Sequence, residues 1–238
     1  AESDAIVALY KSWNEIALFG STTIEFWYVT GDSSVPYANM EGTSLNVGLA
    51  SKNGVTYDPE TSTWYFIDSQ RNINMLTNHG FKSISEPIDG LLEQITDASD
   101  TRLDIITFGS HKFIVCTFPT DEVTYVYDTL TGFWVQWGRY DTAEGKYFEY
   151  LARSASWITR TGKTLIGSDL NDGLIYEFDK NAYQDGTEII RTSLLSGWID
   201  CDALVSKNWK VLSYRMKRQS SEGYSYNLRF RKNYLDAF

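Results

Sequence analysis

Histidine and cysteine are the side chains with the widest chemical repertoire, and this chain of 238 residues has two of each. His79 and His111 follow polar or glycine-rich turn residues. Metal centres and hydrolase triads need histidines placed beside further ligands or a carboxylate. Neither histidine has another histidine or a cysteine at ligand spacing, and Cys116 and Cys201 lie far apart. We therefore predict two solvated turn histidines, a small core side chain at Cys116, and no metal, cofactor or catalytic residue.

Carboxylates offer a second route to chemistry. Paired carboxylates with aromatic platforms would suit a glycoside hydrolase, so a carbohydrate-active protein is one alternative. Candidate acids are Glu25, Asp58, Asp68, Asp128, Asp141, Glu149, Asp169 and Glu177. The segment 169–173 resembles a calcium loop, but its spacing is one residue short and the distant glutamate is missing. A tight hairpin turn with Gly173 at positive φ is the favoured interpretation.

The charge is strongly acidic and unevenly distributed. A net charge of −10 and a pI near 4.7 disfavour a protein that grips duplex DNA, because such a protein needs Lys and Arg to neutralise phosphates. The basic residues concentrate near the C-terminal end, at Lys207, Lys210, Arg215, Lys217, Arg218, Arg229, Arg231 and Lys232. This basic cluster is interpreted either as a pair of solvated strands or as a contact surface for an acidic partner or a neighbouring subunit.

An eight-residue pattern that occurs twice indicates the architecture. Residues 57–64 and 127–134 both read Tyr-Asp-x-x-Thr-x-x-Trp, at an offset of 70 positions. Asp at the end of a strand can fold back on its own backbone and start a turn, and Trp then begins the return strand as a buried anchor. A recurring hairpin in a strand-rich chain is typical of radially arranged blades.

Strand patterns fill most of the chain. Residues 105–137 predict a complete four-stranded meander, and about five such groups can be drawn, the first and last incomplete. Predicted strands cover 16–19, 23–30, 45–57 with a break at 53–54, 64–67, 73–76, 81–85, 105–108, 113–118, 123–128, 133–137, 148–159, 164–168, 174–178, 189–195, 209–217 and 224–231. Residues 1–13 fit either a short helix or an edge strand. Apolar residues at 88, 91, 92 and 95 predict one short helix after Pro87.

Taken together, these segments resemble the packaged-DNA stabilisation proteins of short-tailed phages, the tail accessory factors beneath the portal. The resemblance covers most of residues 13–200 and fades after about residue 200. The stretches that carry it are Glu15–Gly20 with Thr23–Trp27, Trp64–Ile67, Phe81–Pro87, Gly109–Asp128, Gly162–Gly167 and Asp172–Glu177.

The resemblance implies an all-β fold, a β-propeller of four-stranded blades with one short inserted helix. Because the sequence contains no evident linker, we predict a single domain over 1–238, with a propeller body to about 205 and a terminal hairpin over about 206–238. As a function the resemblance implies a structural virion component, made in the host cytoplasm, that stabilises packaged DNA and continues the exit channel. The implied partners are further copies in a ring, a hexamer in this family, together with the portal or adaptor and the tail needle or tail fibre proteins. DNA is implied only as cargo.

Two further observations concern an alternative kind of propeller and the possibility of a membrane span. The repeated pattern also resembles the end of a kelch blade, so a kelch-like interaction propeller is a second possibility, although the Gly-Gly doublet usual in kelch blades is missing. No run of about 18 apolar residues occurs, so the sequence predicts no membrane span.

Overall fold

A computed structural model of the chain describes residues 4–12, 15–150, 152–158, 164–168, 174–179, 182, 184–185 and 188–194. The chain divides into two compact units, residues 1–192 and 193–238. The basic cluster, the predicted strands 209–217 and 224–231, and the segment 169–173 lie outside the described residues. The prediction of one domain over 1–238 stays a prediction.

Antiparallel strands dominate the first unit. They are β1 (Ile6–Ser12), β2 (Glu15–Gly20), β3 (Ile24–Val29), β4 (Tyr37–Asn39), β5 (Val55–Asp58), β6 (Thr63–Ile67), β7 (Ile73–Thr77), β8 (Gly80–Ser83), β9 (Arg102–Phe108), β10 (His111–Phe118), β11 (Val123–Asp128), β12 (Trp134–Trp137), β13 (Arg139–Asp141), β14 (Lys146–Phe148), β15 (Ala152–Ile158), β16 (Thr164–Ser168), β17 (Ile175–Phe178), β18 (Gln184–Asp185) and β19 (Glu188–Ile189). A 3-10 helix (Glu86–Ile88) runs into the short helix α1 (Asp89–Leu92).

The strands form four successive meanders, each paired in chain order. Sheet 1 contains β1–β4, sheet 2 contains β5–β8, sheet 3 contains β9–β12 and sheet 4 contains β15–β17. Two-stranded ribbons, β13–β14 and β18–β19, complete the described strands. The first strands of sheets 2, 3 and 4 lie close together, with β9 beside both β5 and β15. This arrangement is that of propeller blades, whose first strands meet at a hub.

The middle sheets are covered on both faces because their strands are apolar on both faces. In β6, Trp64 and Phe66 pack toward sheet 1, whereas Tyr65 and Ile67 pack toward sheet 3. All five residues of β6 are buried. A strand alternates its side chains between two faces, so a continuous apolar run signals a strand held between two neighbours.

Three hydrophobic cores follow from this stacking. The core between sheets 1 and 2 includes Phe19, Phe26 and Trp64, whose rings meet others edge to face. The core between sheets 2 and 3 centres on Ile114 and Phe118, and the one between sheets 3 and 4 is smaller. Cys116 is fully buried in the middle core, as predicted, and burial raises the pKa of its thiol.

The predicted helix is confirmed but is shorter than its apolar stripe. Ile88, Leu92 and Ile95 pack into the core between sheets 2 and 3. Reciprocal bonds then fasten the segment that leads from α1 to β9. The amide and hydroxyl of Thr96 donate to Asp121, and those of Thr120 donate to Asp100. The inserted segment therefore closes one end of this core.

Several predicted strand boundaries are wrong. Residues 45–54 form isolated bridges instead of a strand, because their backbone hydrogen bonds go to different parts of the chain. Leu49 N donates to Gly20 O, whereas Gly48 O accepts from Ser69 N. The predicted strand over 148–159 is split between β14 and β15, and that over 189–195 ends at Ile189. The ambiguous N-terminal segment is the strand β1.

Candidate functional site

The two copies of the repeated pattern fold into the same turn. Asp58 Oδ1 accepts from the amide of Glu60 at 3.1 Å, and its Oδ2 accepts from the Thr61 hydroxyl at 2.7 Å. In the second copy, Asp128 Oδ1 accepts from the Leu130 amide at 3.0 Å and its Oδ2 from a threonine hydroxyl at 2.8 Å. The Asp and Thr that the two copies share thus form an Asp-centred turn closed by the Thr hydroxyl.

The copies nevertheless occupy different places in their sheets. The first joins β5 to β6, the hub-side hairpin of sheet 2, whereas the second joins β11 to β12, the outer hairpin of sheet 3. The 70-residue offset is therefore a repeat of a turn and not the period of a blade. The anchoring Trp differs as well, since Trp64 is buried and Trp134 is half-buried with its Nε1 donating to Ile84 O at 2.8 Å.

Two consecutive residues at the start of β10 connect these turns. Lys112 Nζ lies 2.7 Å from Asp58 Oδ2 and 2.8 Å from Glu60 Oε2, so it joins sheet 3 to the first turn on sheet 2. His111 Nδ1 lies 2.8 Å from Asp128 Oδ2 in the second turn. We call the contact of Lys112 with Asp58 and Glu60 the inter-sheet clamp.

Opposing effects set the charge of the clamp. Burial alone would raise the pKa of Asp58, but hydrogen bonds from Lys112, Thr61 and the Glu60 amide outweigh it and lower that pKa. Burial would lower the pKa of Lys112, and the two carboxylates that it contacts raise it instead. Both groups are thus held in their charged forms across the neutral range.

Burial opposes the charge of the second turn in the same way. It would raise the pKa of Asp128, but hydrogen bonds from Thr131, the Leu130 amide and His111 lower it. Asp128 therefore keeps its charge while it closes the turn.

Both histidines are partly solvated, with side chains 29% exposed at His79 and 39% at His111, and each has a specific partner that the sequence did not indicate. Besides the contact of His111 with Asp128, His79 Nε2 lies 2.9 Å from Glu15 Oε2, and its ring meets Phe26 at 4.5 Å between centroids. Glu15 belongs to sheet 1 and His79 to the β7–β8 turn of sheet 2. The contacts of His79 could not be predicted from local sequence, because its partners are more than 50 positions away along the chain.

Three of the other candidate acids hold local structure. Asp68 accepts from the amides of Gln70 and Asn72 and from the Asn74 side chain, which shapes the β6–β7 turn. Glu25 is buried and accepts from Trp27 and Asn39 on its own sheet. Asp141 accepts from the amides of two following residues in the β13–β14 turn. Within the described ranges, no group of three His, Cys, Asp or Glu is placed to hold a metal ion.

Two apolar surfaces lie at the strand edges farthest from the hub. The first, the β12 edge patch, consists of Leu130, Phe133 and Val135. The second, the β4 edge patch, consists of Tyr28, Val29, Val35 and Tyr37. Neither was singled out from the sequence, because the same residue types also fill the cores. Their exposure makes them candidates for a protein interface.

A family model described as Bacteriophage P22 Gp10, beta-propeller, matches residues 1–183. The chain belongs to this family. It is therefore a phage structural protein of the stabilisation family with a β-propeller fold, as the sequence resemblance indicated. Four successive meanders, with the first strands of sheets 2, 3 and 4 side by side, agree with that fold.

Other comparisons add little. Solved structures similar to the chain include the computationally designed Ika8 protein, with 15% identity and a TM-score of 0.37, covering 74% of this chain and 46% of that one. Hsv2 of Kluyveromyces lactis has 12% identity and a TM-score of 0.41, with coverage of 76% and 48%. PorZ, a surface component of the type-IX secretion system of Porphyromonas gingivalis, has 7% identity and a TM-score of 0.29, with coverage of 73% and 28%.

The chain spans less than half the length of each of these structures, and scores this low support no conclusion about function. No curated protein matches the chain. Among the residues that the structure describes, none belongs to a helix with the length and apolar character needed to cross a membrane.

Proposed function

We propose that this chain is a structural component of the tail of a short-tailed phage. It binds below the portal or its adaptor protein, stabilises packaged DNA in the capsid and continues the DNA exit channel. The observation that carries the proposal is membership of the phage P22 Gp10 family over residues 1–183.

The charge of the chain supports a role as a conduit. A protein that lines a channel for DNA must let the phosphates pass, and a surface of like charge repels them. The net charge of −10 supports such a surface. Polar side-chain contacts between neighbouring sheets, through Lys112 and His79, support a second requirement, which is stiffness against the pressure of packaged DNA.

The partners of the proposed assembly follow from the same role. Copies of the chain form a ring, a hexamer by family resemblance, with the portal or adaptor on one side and the tail needle or tail fibre proteins on the other. DNA passes as cargo, and the assembly is part of the virion. The basic cluster between Lys207 and Lys232 is proposed as a contact surface for an acidic partner or a neighbouring subunit.

Deletion of the gene tests the proposal. Particles assembled without this chain should package DNA and then lose it, so electron microscopy should show empty capsids, and nuclease should digest the released DNA. Supplying the wild-type chain from a plasmid should restore full, infectious particles. Deletion particles that stay full and nuclease-resistant would refute the function.

A further inference from the structure

The chain contains a single Asn-Gly dipeptide, Asn53 with Gly54, in the turn that enters β5. In this dipeptide the backbone nitrogen of the glycine can attack the side-chain carbonyl carbon of the asparagine, because glycine has no Cβ to obstruct the approach. The nitrogen loses its proton, the bond from Cγ to Nδ2 breaks and ammonia leaves, which gives a five-membered succinimide. Water then opens the ring at either carbonyl, so the product is aspartate or isoaspartate.

The side chain of Asn53 is open to this reaction. Asn53 is exposed, and no hydrogen bond to a described residue holds its side-chain amide, so water reaches Cγ and ammonia can leave. Packing also retains the reactive pair. A Cβ on Gly54 would lie 2.6 Å from Ile67 Cγ2 and 3.1 Å from Ser51 O, so a bulkier residue does not fit there.

The backbone of the same turn opposes the reaction. Gly54 N, the nucleophile, donates its proton to Ser51 O at 2.8 Å, and both residues are buried. Neither Lys52 nor Asn53 has a positive φ, as in a type I turn, where ψ of the third residue is roughly 0°. The five-membered ring needs Gly54 N to eclipse Asn53 Cβ. Rotation of ψ to that geometry breaks the bond to Ser51 O.

A second sheet fixes the same peptide group. Asn53 O accepts from Leu103 N of β9 at 3.0 Å, and Gly54 O accepts from Ile67 N of β6 at 2.9 Å. Leu103 and Ile67 are both buried in the core between sheets 2 and 3. The peptide that joins Asn53 to Gly54 is thus bonded at its oxygen and at its nitrogen. It cannot rotate until sheet 3 separates from the turn.

We propose that Asn53 is a modification site that the contact between sheets 2 and 3 keeps closed. Conversion to aspartate or isoaspartate proceeds only in molecules in which that contact has opened. Isoaspartate carries the backbone through Cβ and Cγ, which displaces Gly54 N from Ser51 O and turns the carbonyl that Leu103 binds into a free carboxylate. The modified turn loses both bonds, so the opening becomes permanent. This property is independent of the proposed function.

The rate of conversion tests the closed state. The full chain is kept at mildly alkaline pH over a series of guanidinium chloride concentrations, and mass-spectrometric peptide mapping follows the change of amide to acid at Asn53. Conversion should be at least about tenfold slower in the folded than in the unfolded chain, because only opened molecules react. Below the unfolding midpoint, the logarithm of the rate should rise with denaturant as the opened fraction grows.

Three results would overturn the proposal. A folded chain that converts as fast as the unfolded chain would show that the turn does not protect Asn53. A rate that does not change with denaturant below the midpoint would show that the contact between the sheets is not what closes the site. An unfolded chain in which Asn53 persists would remove the site altogether.

Substitution in the core gives a second measurement. Ile114 is fully buried between sheets 2 and 3, so Ile114→Ala should accelerate conversion of Asn53 by at least about tenfold. Leu91→Ala is the matched control, since Leu91 is 43% exposed on α1, and its rate should stay within about twofold of wild type. Equal rates in the two variants would contradict control by the core. Asn53→Gln should abolish the signal, because glutamine would have to form a six-membered ring.

A pulse of protease tests the consequence of conversion. Wild-type chain is aged below the unfolding midpoint until aspartate and isoaspartate are both present at position 53, and protease then removes the opened molecules. Isoaspartate should be depleted from the surviving full-length chain. Aspartate should be retained, because it leaves the backbone intact and adds only a charge on an exposed side chain. Equal survival of the two products would refute the permanent opening.

Discussion

Replacing Lys112 by Met removes the cation that joins sheets 2 and 3 while keeping the aliphatic stem of the side chain. Asp58 would then lie in a site where its side chain is only 3% exposed, without its charged partner. Losing one partner of a buried ion pair costs about 3–5 kcal/mol. Because Asp58 keeps the Thr61 hydroxyl and the Glu60 amide, we expect a smaller loss, about 2–3 kcal/mol.

Lys146→Met is the matched control. Lys146 contacts Glu122 at 2.9 Å, but the side chains are 51% and 46% exposed, so the pair should contribute less than about 1 kcal/mol. For a chain of this size the Lys112 variant should melt about 5–10 °C lower than wild type. A melting temperature no lower than that of the Lys146 variant would refute the clamp.

The pH dependence gives an independent check. The pKa of Asp58 is lowered in the folded chain, so its contribution is present above the unfolded pKa of about 3.9 and is lost as pH falls through the folded value. The pKa of Lys112 is raised, so its contribution is present below about 10.4 and is lost as pH rises through the folded value. The stability difference between wild type and Lys112→Met should therefore be constant between these limits and shrink in acid. Equal differences at pH 7 and at pH 2 would contradict the assignment.

Three further predictions concern the burial of two tryptophans, the space beside two glycines and the contact of Asp4 with the β2–β3 turn. Trp64→Ala should lower the free energy of unfolding by about 3–5 kcal/mol, and Trp134→Ala by about 2–3 kcal/mol because the Trp134 ring is only half-buried. Chemical denaturation measures both values. A larger effect at Trp134 than at Trp64 would contradict the burial assigned to these rings. Gly48→Ala should lower the melting temperature because a Cβ there would overlap the backbone of the β2–β3 turn, whereas Gly90→Ala points into open space and should not lower it. The Asp4 carboxylate accepts hydrogen bonds from the β2–β3 turn, which lower its pKa. The protection of the β1 amides, measured relative to their intrinsic exchange rates, should therefore fall only as pH drops through that lowered value. Loss of protection already near pH 5 would disprove this anchor.

Local patterns predicted the strands well because strand and turn chemistry is short-range. The meander over 105–137 and the helix after Pro87 lie within a few residues of their predicted positions. The segment 45–54 was misassigned because its apolar residues satisfy their backbone through distant turns, which neighbouring letters cannot reveal. The β13–β14 ribbon was missed although its turn had a readable signal, an Asp followed by a Gly at positive φ.

The candidate contacts were much less accessible to prediction. The sequence showed that Asp58 and Asp128 start equivalent turns, since each binds residues two and three positions ahead. It could not show that Lys112 reaches back 54 positions to Asp58, or that His79 meets Glu15 across 64. Those pairs form only when consecutive sheets pack face to face.

The sequence by itself determined the all-β class, the family and the chemistry of each turn, because these depend on side chains within a few residues of one another. The tertiary structure alone decided which apolar residues became core and which stayed at an open edge. Trp64 and Phe133 are both large aromatic residues in copies of one turn, and they differ because only the first has another sheet packed over it. Burial depends on what lies on the opposite side of a strand, and that is a property of the assembled sheets.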